Sequence, residues 1–192
     1  TEPATFIHGC AVQRMDVCME TNLLAQQIGD QLRRRQMTLA VAESCTGGLL
    51  GDLITDIPGS SDYFLGGVLS YSNQVKHQLL GVQAATLETH GAVSAQCAAE
   101  MARGVRRLVQ SDVALSVTGI AGPGGGSDGK PKGLTYLHLS APGCEQGQRF
   151  IWPGDRRANK VDSALAALRL LLDYLEATEE AQEMRSQEKE DG

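Results

Sequence analysis

The chain has 192 residues with a formal net charge of −6, and 42% of its residues are hydrophobic. That length predicts a single domain with a sizeable core, which Ala, Val, Ile and Leu must fill because only 4% of the residues are aromatic. No apolar run approaches the roughly 18 residues of a membrane span, and no charged-then-apolar leader opens the chain. We therefore expect a soluble protein with no membrane partner.

The acidic charge is concentrated at one end of the chain. Residues 177–192 contain six acidic and two basic residues, so the remaining chain carries a net charge of only −2. A near-neutral body without a dense Lys/Arg stripe argues against nucleic-acid binding. The basic run Arg33-Arg34-Arg35 ends a helical pattern, where its charge suits the helix dipole better than it suits a phosphate backbone. No nucleic-acid partner is expected.

The cysteine and histidine patterns argue against two further kinds of site. The cysteines are odd in number, widely spaced and without a C-x-x-C pair, so they predict neither a disulfide framework nor a zinc site. The histidines are equally scattered. We expect no metal and a reducing, cytoplasmic compartment. These residues are Cys10, Cys18, Cys45, Cys97 and Cys144, with His8, His77, His90 and His138.

The predicted elements alternate between helix and strand. Residues 1–20 show no sustained period and predict a loose lead-in, and residues 177–192 lack an apolar face and predict a disordered tail. Residues 21–176 lie between them as one domain. Helices are predicted over Leu23–Arg35, Gly47–Ile57, Asn73–Leu80, Ser94–Val109 and Arg156–Glu176. Strands are predicted over Met37–Glu43, Gly67–Tyr71, Val113–Val117, Leu134–Leu139 and Arg149–Trp152.

This order of elements predicts an α/β fold of three layers, with helices on both faces of a mixed, mostly parallel sheet. The last two strands read as a pair around the turn Ala141-Pro142-Gly143, which makes the sheet mixed. In such sheets ligands bind beyond the carboxyl ends of strands, where loops meet helix N-termini. Candidate functional residues are therefore expected at those ends.

A glycine-rich stretch, TGIAGPGGGSDGKP, occupies residues 118–131. It contains a G-x-G-x-x-G pattern, but a strand follows it where the dinucleotide fingerprint needs a helix. It also nearly matches a P-loop, except that Pro131 stands where the magnesium-binding Ser or Thr belongs. Two interpretations remain open: a flexible loop that walls a pocket, and a simple series of turns.

The segment AESCTGG, residues 42–48, joins a predicted strand to a predicted helix. Ser44 would stand at the carboxyl end of the strand, and the amides of Thr46, Gly47 and Gly48 would face a phosphate or a developing oxyanion. The alternative is that Ser44 or Thr46 merely caps the helix. Ser44 stands in neither a G-x-S-x-G nor an S-x-x-K pattern, so neither signature identifies this segment as that of a serine hydrolase. Cys45 is a second possible nucleophile, but without an assignable histidine partner it is better read as a packing residue.

Two more polar segments precede predicted helices. In YSNQVK, residues 71–76, Tyr71 ends a strand and Lys76 lies one turn into a helix, where the dipole favours its neutral form. A neutral lysine is a competent base for a serine hydroxyl, although a solvated surface lysine fits the same pattern. Before the last helix, Asp155 fits an N-cap, and Arg156 or Arg157 is placed to bind a phosphate.

These segments, in this order, resemble the C-terminal domain of the competence/damage-inducible CinA proteins and its stand-alone form, the nicotinamide-nucleotide amidase (PncC) family. The resemblance covers roughly residues 23 to 176. The matching pieces are AESCTGG (42–48), ITDIPGSSDYFLGG (54–67), YSNQVK (71–76), GAVS (91–94), VTGIAGPGGGS (117–127), KPKG (130–133) and GDR (154–156).

The resemblance implies a cofactor-free enzyme that hydrolyses the carboxamide of nicotinamide mononucleotide to nicotinic acid mononucleotide and ammonia. Ser44 matches the family's nucleophile, Lys76 the base of a Ser–Lys dyad, and Tyr71 a tyrosine that orients the lysine or a hydroxyl. The positions implied to contact substrate are Thr46, Gly47, Gly48, Thr118, Gly119 and Arg156, of which Arg156 is the phosphate partner. The resemblance also implies a homodimer.

This sequence departs from the family's pattern at two lysines. Lys132 stands where a small apolar residue is common, and Lys160 where an arginine is common, so either alters the charge around the pocket. Two other functions remain open from the sequence: a non-catalytic nucleotide-binding module linked to competence or DNA damage, and an amidase for a different heterocyclic amide. Ammonia release from the mononucleotide separates them.

Overall fold

The computed structural model describes the backbone of residues 8–190 and the side chains of residues 21–181, 184 and 187. Its helices are α1 (His8–Arg34), α2 (Leu49–Thr55), α3 (Asn73–Leu80), α4 (Ala84–Thr89), α5 (Ala95–Val109) and α6 (Arg156–Glu190). Its strands are β1 (Leu39–Glu43), β2 (Phe64–Leu69), β3 (Val113–Gly119), β4 (Leu134–Ala141) and β5 (Cys144–Ile151). A short 3₁₀ helix covers Ser60–Asp62.

The five strands form one mixed sheet in the order β2-β1-β3-β4-β5. Strand β1 pairs in parallel with both β2 and β3, whereas β4 is antiparallel to β3 and to β5. Four strands therefore run in one direction and β4 in the other, which confirms the predicted mixed α/β fold. Because β1, β2 and β3 are parallel, their carboxyl ends meet at one edge of the sheet.

The central strands of the sheet are buried on both faces, whereas the outer strands β2 and β5 are partly exposed. Leu39 and Val41 of β1 pack into a core cluster that includes side chains of α1, α2 and α6. Ala40 and Ala42 point the other way, into a second cluster with α3 and α5. Successive residues of a strand point to opposite faces of the sheet. Helices cover both of these faces, which gives the three predicted layers.

Some element boundaries differ from the predictions for identifiable reasons. Strand β2 begins at Phe64, three residues before the predicted start at Gly67. Its two glycines hide the strand pattern, and a Cβ atom at Gly67 would lie 2.5 Å from Val41 Cγ2 of the neighbouring strand. Strand β5 begins at Cys144 rather than Arg149, because its first half is a polar edge strand paired with β4.

The structure also differs from the predictions at both ends of the described chain. Helix α1 already starts at His8, inside the expected lead-in, and α6 continues to Glu190, through the segment expected to be disordered. Residues 177–190 are mostly good helix formers, and each turn added to an existing helix gains backbone hydrogen bonds. The two helices contact each other where Arg34 donates to Glu179 at 2.7 Å. Residues 1–7 and 191–192 lie outside the described residues.

We expect the substitution Gly104→Ala to lower the free energy of unfolding by about 2 kcal/mol. A Cβ atom at Gly104 of α5 would lie 2.0 Å from the carbonyl oxygen of Leu80, so α3 and α5 would have to separate. Urea unfolding measures the change. Gly124→Ala is the matched control, because a Cβ atom there meets nothing within 4 Å. Equal stability of Gly104→Ala and the parent would contradict this close packing.

Candidate active site

Three parallel strands end at the same edge of the sheet and bring several of the predicted polar residues together. Ser44 follows β1, and its amide donates to the Val117 carbonyl of β3 at 2.9 Å. Lys76 lies in α3, which follows β2, and Thr118 lies near the end of β3. The parallel pairing of β1 with both neighbours therefore brings Ser44, Lys76 and Thr118 to one pocket.

Lys76 donates a hydrogen bond to the hydroxyl of Ser44, with an Nζ–Oγ distance of 2.9 Å. Its amine also donates to the carbonyl oxygen of Ser70. The Ser72 side chain caps the N-terminus of α3 by accepting from the Val75 amide at 3.2 Å, and this fixes the start of the helix that carries Lys76. Ser44 and Lys76 are 32 positions apart in the sequence but in direct contact in the fold.

Burial lowers the pKa of the Lys76 amine below that of an ordinary lysine. The residue is only 1% exposed, and removing an ammonium from water disfavours its charged form. The thiols of Cys97 and Cys45 oppose this shift to a smaller degree. Burial is thus the main cause of the lowered pKa of Lys76. A lysine that readily loses its proton is suited to accept one from Ser44.

Glu43, the last residue of β1, caps the N-terminus of α2 with its side chain. The carboxylate is 1% exposed and accepts from the amides of Gly48, Leu50 and Gly51 at 2.8–3.1 Å. The expectation that the Gly48 amide is free for substrate is therefore wrong. Because Glu43 adjoins Ser44, this cap also fixes the backbone on both sides of the serine.

We expect Glu43→Gln to lower the free energy of unfolding by about 2 kcal/mol. The glutamine amide group would present N–H donors to backbone amides that now donate to a carboxylate oxygen. Chemical denaturation measures the loss. Glu100→Gln is the control, because the Glu100 carboxylate is only partly buried and accepts from the amide of Gln83 at 2.8 Å and from the hydroxyl of Thr86 at 2.7 Å. If the two variants lose equal stability, burial does not strengthen the Glu43 cap.

The pocket at this edge has a volume of about 280 Å³. Ser44 and Lys76 line its buried end together with Thr118 and Gly119 of β3, and Thr118 donates to the Ala92 carbonyl at 2.8 Å. Residues 120–122, 124 and 125 of the glycine-rich stretch contribute to one wall, as the pocket-wall interpretation of that stretch predicts. Thr46, Gly47 and Gly48 do not line this pocket, although the sequence predicted substrate contacts for them.

Arg156 and Tyr71 lie at the mouth of the pocket. Arg156, the first residue of α6, donates to the Gly122 carbonyl at 2.8 Å and to the Tyr71 hydroxyl at 3.3 Å. Tyr71 is 66% exposed, and its described hydrogen-bond partner is Arg156 rather than the lysine or the serine. A guanidinium held at the mouth in this way offers a fork of donors to an anion.

Comparison with known proteins identifies the family. The model of the CinA C-terminal domain matches residues 21–175. The chain belongs to the CinA family. A CinA-like protein from Chlorobaculum tepidum is 48% identical over 161 residues, which is 81% of this chain and 38% of that protein. The chain thus spans little more than a third of the length of the curated CinA relatives it matches.

Solved CinA-family structures share the fold. The competence damage-inducible protein A of Klebsiella pneumoniae superposes with a TM-score of 0.79 at 34% identity, covering 81% of this chain and 96% of that one. The competence/damage inducible protein CihA of Agrobacterium tumefaciens gives 0.78 at 37% identity, covering 80% of this chain and 94% of that one. The α/β architecture described above is therefore that of the CinA family.

Three side chains noted in the sequence lie around this site. The stem of Lys132 packs against Gly122, where a Cβ atom would lie 2.8 Å from Lys132 Cδ. Lys160 is near the Gly47 turn, its Nζ 3.5 Å from a Cβ position there. Burial raises the pKa of the Cys45 thiol to about 11, so the thiol is protonated at neutral pH and Cys45 fits its assignment as a packing residue.

Sequence reasoning missed Glu43 and Asn159, both almost fully buried. An acidic residue at the end of an otherwise apolar strand, just before a helix N-terminus, is a signal for the Glu43 cap. Asn159 gives no such signal, because it lies within a helical pattern and its partner, the Ala121 carbonyl, is 38 positions away.

In the described part of the chain, no group of three or more His, Cys, Asp or Glu side chains is arranged to hold a metal ion. None of the described helices combines the length and hydropathy of a membrane span.

Proposed function

We propose that this CinA-family chain is a nicotinamide-nucleotide amidase. In this proposal it hydrolyses the carboxamide of nicotinamide mononucleotide to nicotinic acid mononucleotide and ammonia, a step of pyridine nucleotide salvage. The observation that supports it most is the 2.9 Å hydrogen bond between Lys76 Nζ and Ser44 Oγ at the buried end of a pocket. Membership of the CinA family also supports the proposal, through common ancestry.

In the proposed reaction, neutral Lys76 accepts the proton of Ser44 as the serine oxygen attacks the carboxamide carbon. The resulting ammonium then gives that proton to the amide nitrogen as the carbon–nitrogen bond breaks, and ammonia leaves. A nicotinoyl ester remains on Ser44. Lys76 next accepts a proton from water, whose oxygen attacks the ester carbon, and returns the proton to Ser44 Oγ as the acid is released.

The residues at the mouth of the pocket favour a substrate with a phosphate group over an amide without one. Arg156 is exposed there, and its fork of N–H donors matches a phosphate in geometry and charge. The pyridinium ring of the substrate withdraws electrons from the carboxamide, so that a weak base is sufficient. Binding energy from the phosphoribosyl end would then hold the amide next to Ser44.

Ammonia release by the purified chain tests this function, with nicotinamide mononucleotide and its dephosphorylated riboside as substrates. We expect release from both, with a kcat/KM at least about 10-fold higher for the mononucleotide because of its phosphate. Mass spectrometry of enzyme quenched during turnover should find the nicotinoyl group on the peptide containing Ser44. Mononucleotide binding without ammonia release would instead support the non-catalytic module. Neither binding nor release would refute both functions.

A further inference from the structure

The first turn of α6 holds two consecutive carbonyl groups of the pocket wall. Asn159 Nδ2 donates to the Ala121 carbonyl at 3.0 Å, and Arg156 Nη1 donates to the Gly122 carbonyl at 2.8 Å. The two side chains are three positions apart and so share one face of the helix. Ala121 and Gly122 both line the pocket.

The two contacts differ in how firmly they are held. Arg156 is exposed and also contacts Tyr71, so it is free to turn toward a ligand. Asn159 is 1% exposed, and its backbone lies in the hydrogen-bonded start of α6, where its amide donates to the Asp155 carbonyl at 2.9 Å. The wall therefore keeps its attachment to α6 through Asn159 when Arg156 moves.

The contact between Asn159 and the Ala121 carbonyl has a cost in stability, which comes from the other polar atom of the side chain, Oδ1. This oxygen is buried and has no hydrogen-bond partner among the described residues. A buried, unpaired amide oxygen destabilises a protein by about 1–3 kcal/mol. Because the Ala121 carbonyl needs a donor, the amide nitrogen must face it, and the oxygen is left in the apolar interior. An apolar side chain at this position avoids that cost but leaves the Ala121 carbonyl without its donor, so that the wall stays attached to α6 through Arg156.

We propose that Asn159 is a positioning residue that fixes the pocket wall at Ala121 and Gly122, and with it the affinity for ligand. The side chain of Asn159 donates to the Ala121 carbonyl and not to either member of the dyad, of which Ser44 follows β1 and Lys76 lies in α3. Its loss should therefore weaken binding more than it slows chemistry. The effect on KM rests on the proposed amidase function, whereas the effect on the wall does not.

The test compares Asn159→Ala with Ser163→Ala. Ser163 is the matched control: it is buried on the same helix, donates to the Asn159 carbonyl at 2.6 Å and lies 3.1 Å from the Thr135 hydroxyl, but does not line the pocket. Hydrogen exchange of the amides in residues 120–126 is measured first and needs no substrate. We expect exchange about 10-fold faster in Asn159→Ala and unchanged in Ser163→Ala.

Kinetics with nicotinamide mononucleotide provide the second measurement. We expect KM to rise about 10-fold in Asn159→Ala while kcat stays within about 3-fold of the parent, and Ser163→Ala to keep both values. Asn159→Asp keeps the size of the side chain but loses the donor, and it should reproduce both effects if the alanine variant does not fold. Unchanged exchange in both Asn159 variants, or equal changes in Ser163→Ala, would overturn the proposal. An inactive parent would refute the amidase function alone, and exchange would still decide the role of Asn159.

Discussion

Replacement of Ser44 by alanine is expected to lower the rate of ammonia release by about 10⁴-fold or more. The substitution removes the atom that attacks the carboxamide in the proposed mechanism. It leaves the backbone hydrogen bond from the Ser44 amide to Val117 intact, so the fold should remain. We expect the melting temperature to stay within about 3 °C of the parent value. A discontinuous ammonia assay and a thermal melt measure the two effects.

Ser70→Ala is the matched control for this loss of a serine hydroxyl. Ser70 is also buried and follows the neighbouring strand, but its hydroxyl donates to the Glu43 carbonyl at 3.4 Å and does not line the pocket. Its carbonyl, which accepts from Lys76, is kept in the variant. Ser70→Ala should therefore retain most of the activity. Turnover by a folded Ser44→Ala protein at the parent rate would exclude the covalent mechanism.

Replacement of Lys76 by methionine is expected to lower kcat/KM by about 10³-fold while raising thermal stability at neutral pH. Methionine fills a similar volume but cannot accept the serine proton. It also removes an amine whose charged form is disfavoured by burial, and this accounts for the gain in stability. Activity assays and thermal melts over a range of pH measure both effects.

The direction of the pH dependence follows from the lowered pKa of Lys76. Between that pKa and the ordinary value of about 10.5, the unfolded chain binds more protons than the folded one, so the stability of the parent rises with pH in this window. The stability gained by Lys76→Met should thus be largest below the folded pKa and disappear above the ordinary lysine value. The activity of the parent should rise with pH through the folded pKa, as the amine becomes neutral.

Lys130→Met provides the control for these pH measurements. Lys130 donates to the His90 carbonyl near the same loop, but it lies outside the dyad and does not line the pocket. Its replacement should leave the pH dependence of activity unchanged. If Lys76→Met keeps the parental rate, or if its stability change does not vary with pH, the lysine is not the proposed base.

The layered sheet was predictable because the strands have distinct local patterns. The apolar run Val113–Val117 marks a strand buried on both faces, and Ser94 marks the start of α5, where it accepts from the Cys97 amide at 3.2 Å. Strand β2 was harder to predict, because Gly67 is explained by its close approach to Val41 of another strand, which the local sequence does not show. The register between strands is a property of the whole sheet rather than of any one segment.

The candidate site was predictable in its residue types but not in its contacts. Polar residues after β1 and β2 indicated Ser44, Tyr71 and Lys76, and the family resemblance assigned them roles. The contact between Ser44 and Lys76, 32 positions apart, depends on the parallel pairing of β1 with β2. Of the three helix amides predicted to be free, that of Gly48 is not, because Glu43, a side chain from the preceding strand, already accepts from it.

The Glu43 cap has a consequence for how an elongated anion would lie in the pocket. Helix N-termini in α/β proteins commonly receive phosphate groups, but here the chain's own carboxylate occupies that place beside Ser44. The N-terminus of α2 is therefore not available to the anionic end of a ligand, while Arg156 attracts negative charge at the mouth. A ligand with one neutral and one anionic end is thus held by its anionic end at the mouth and places its neutral group next to Ser44.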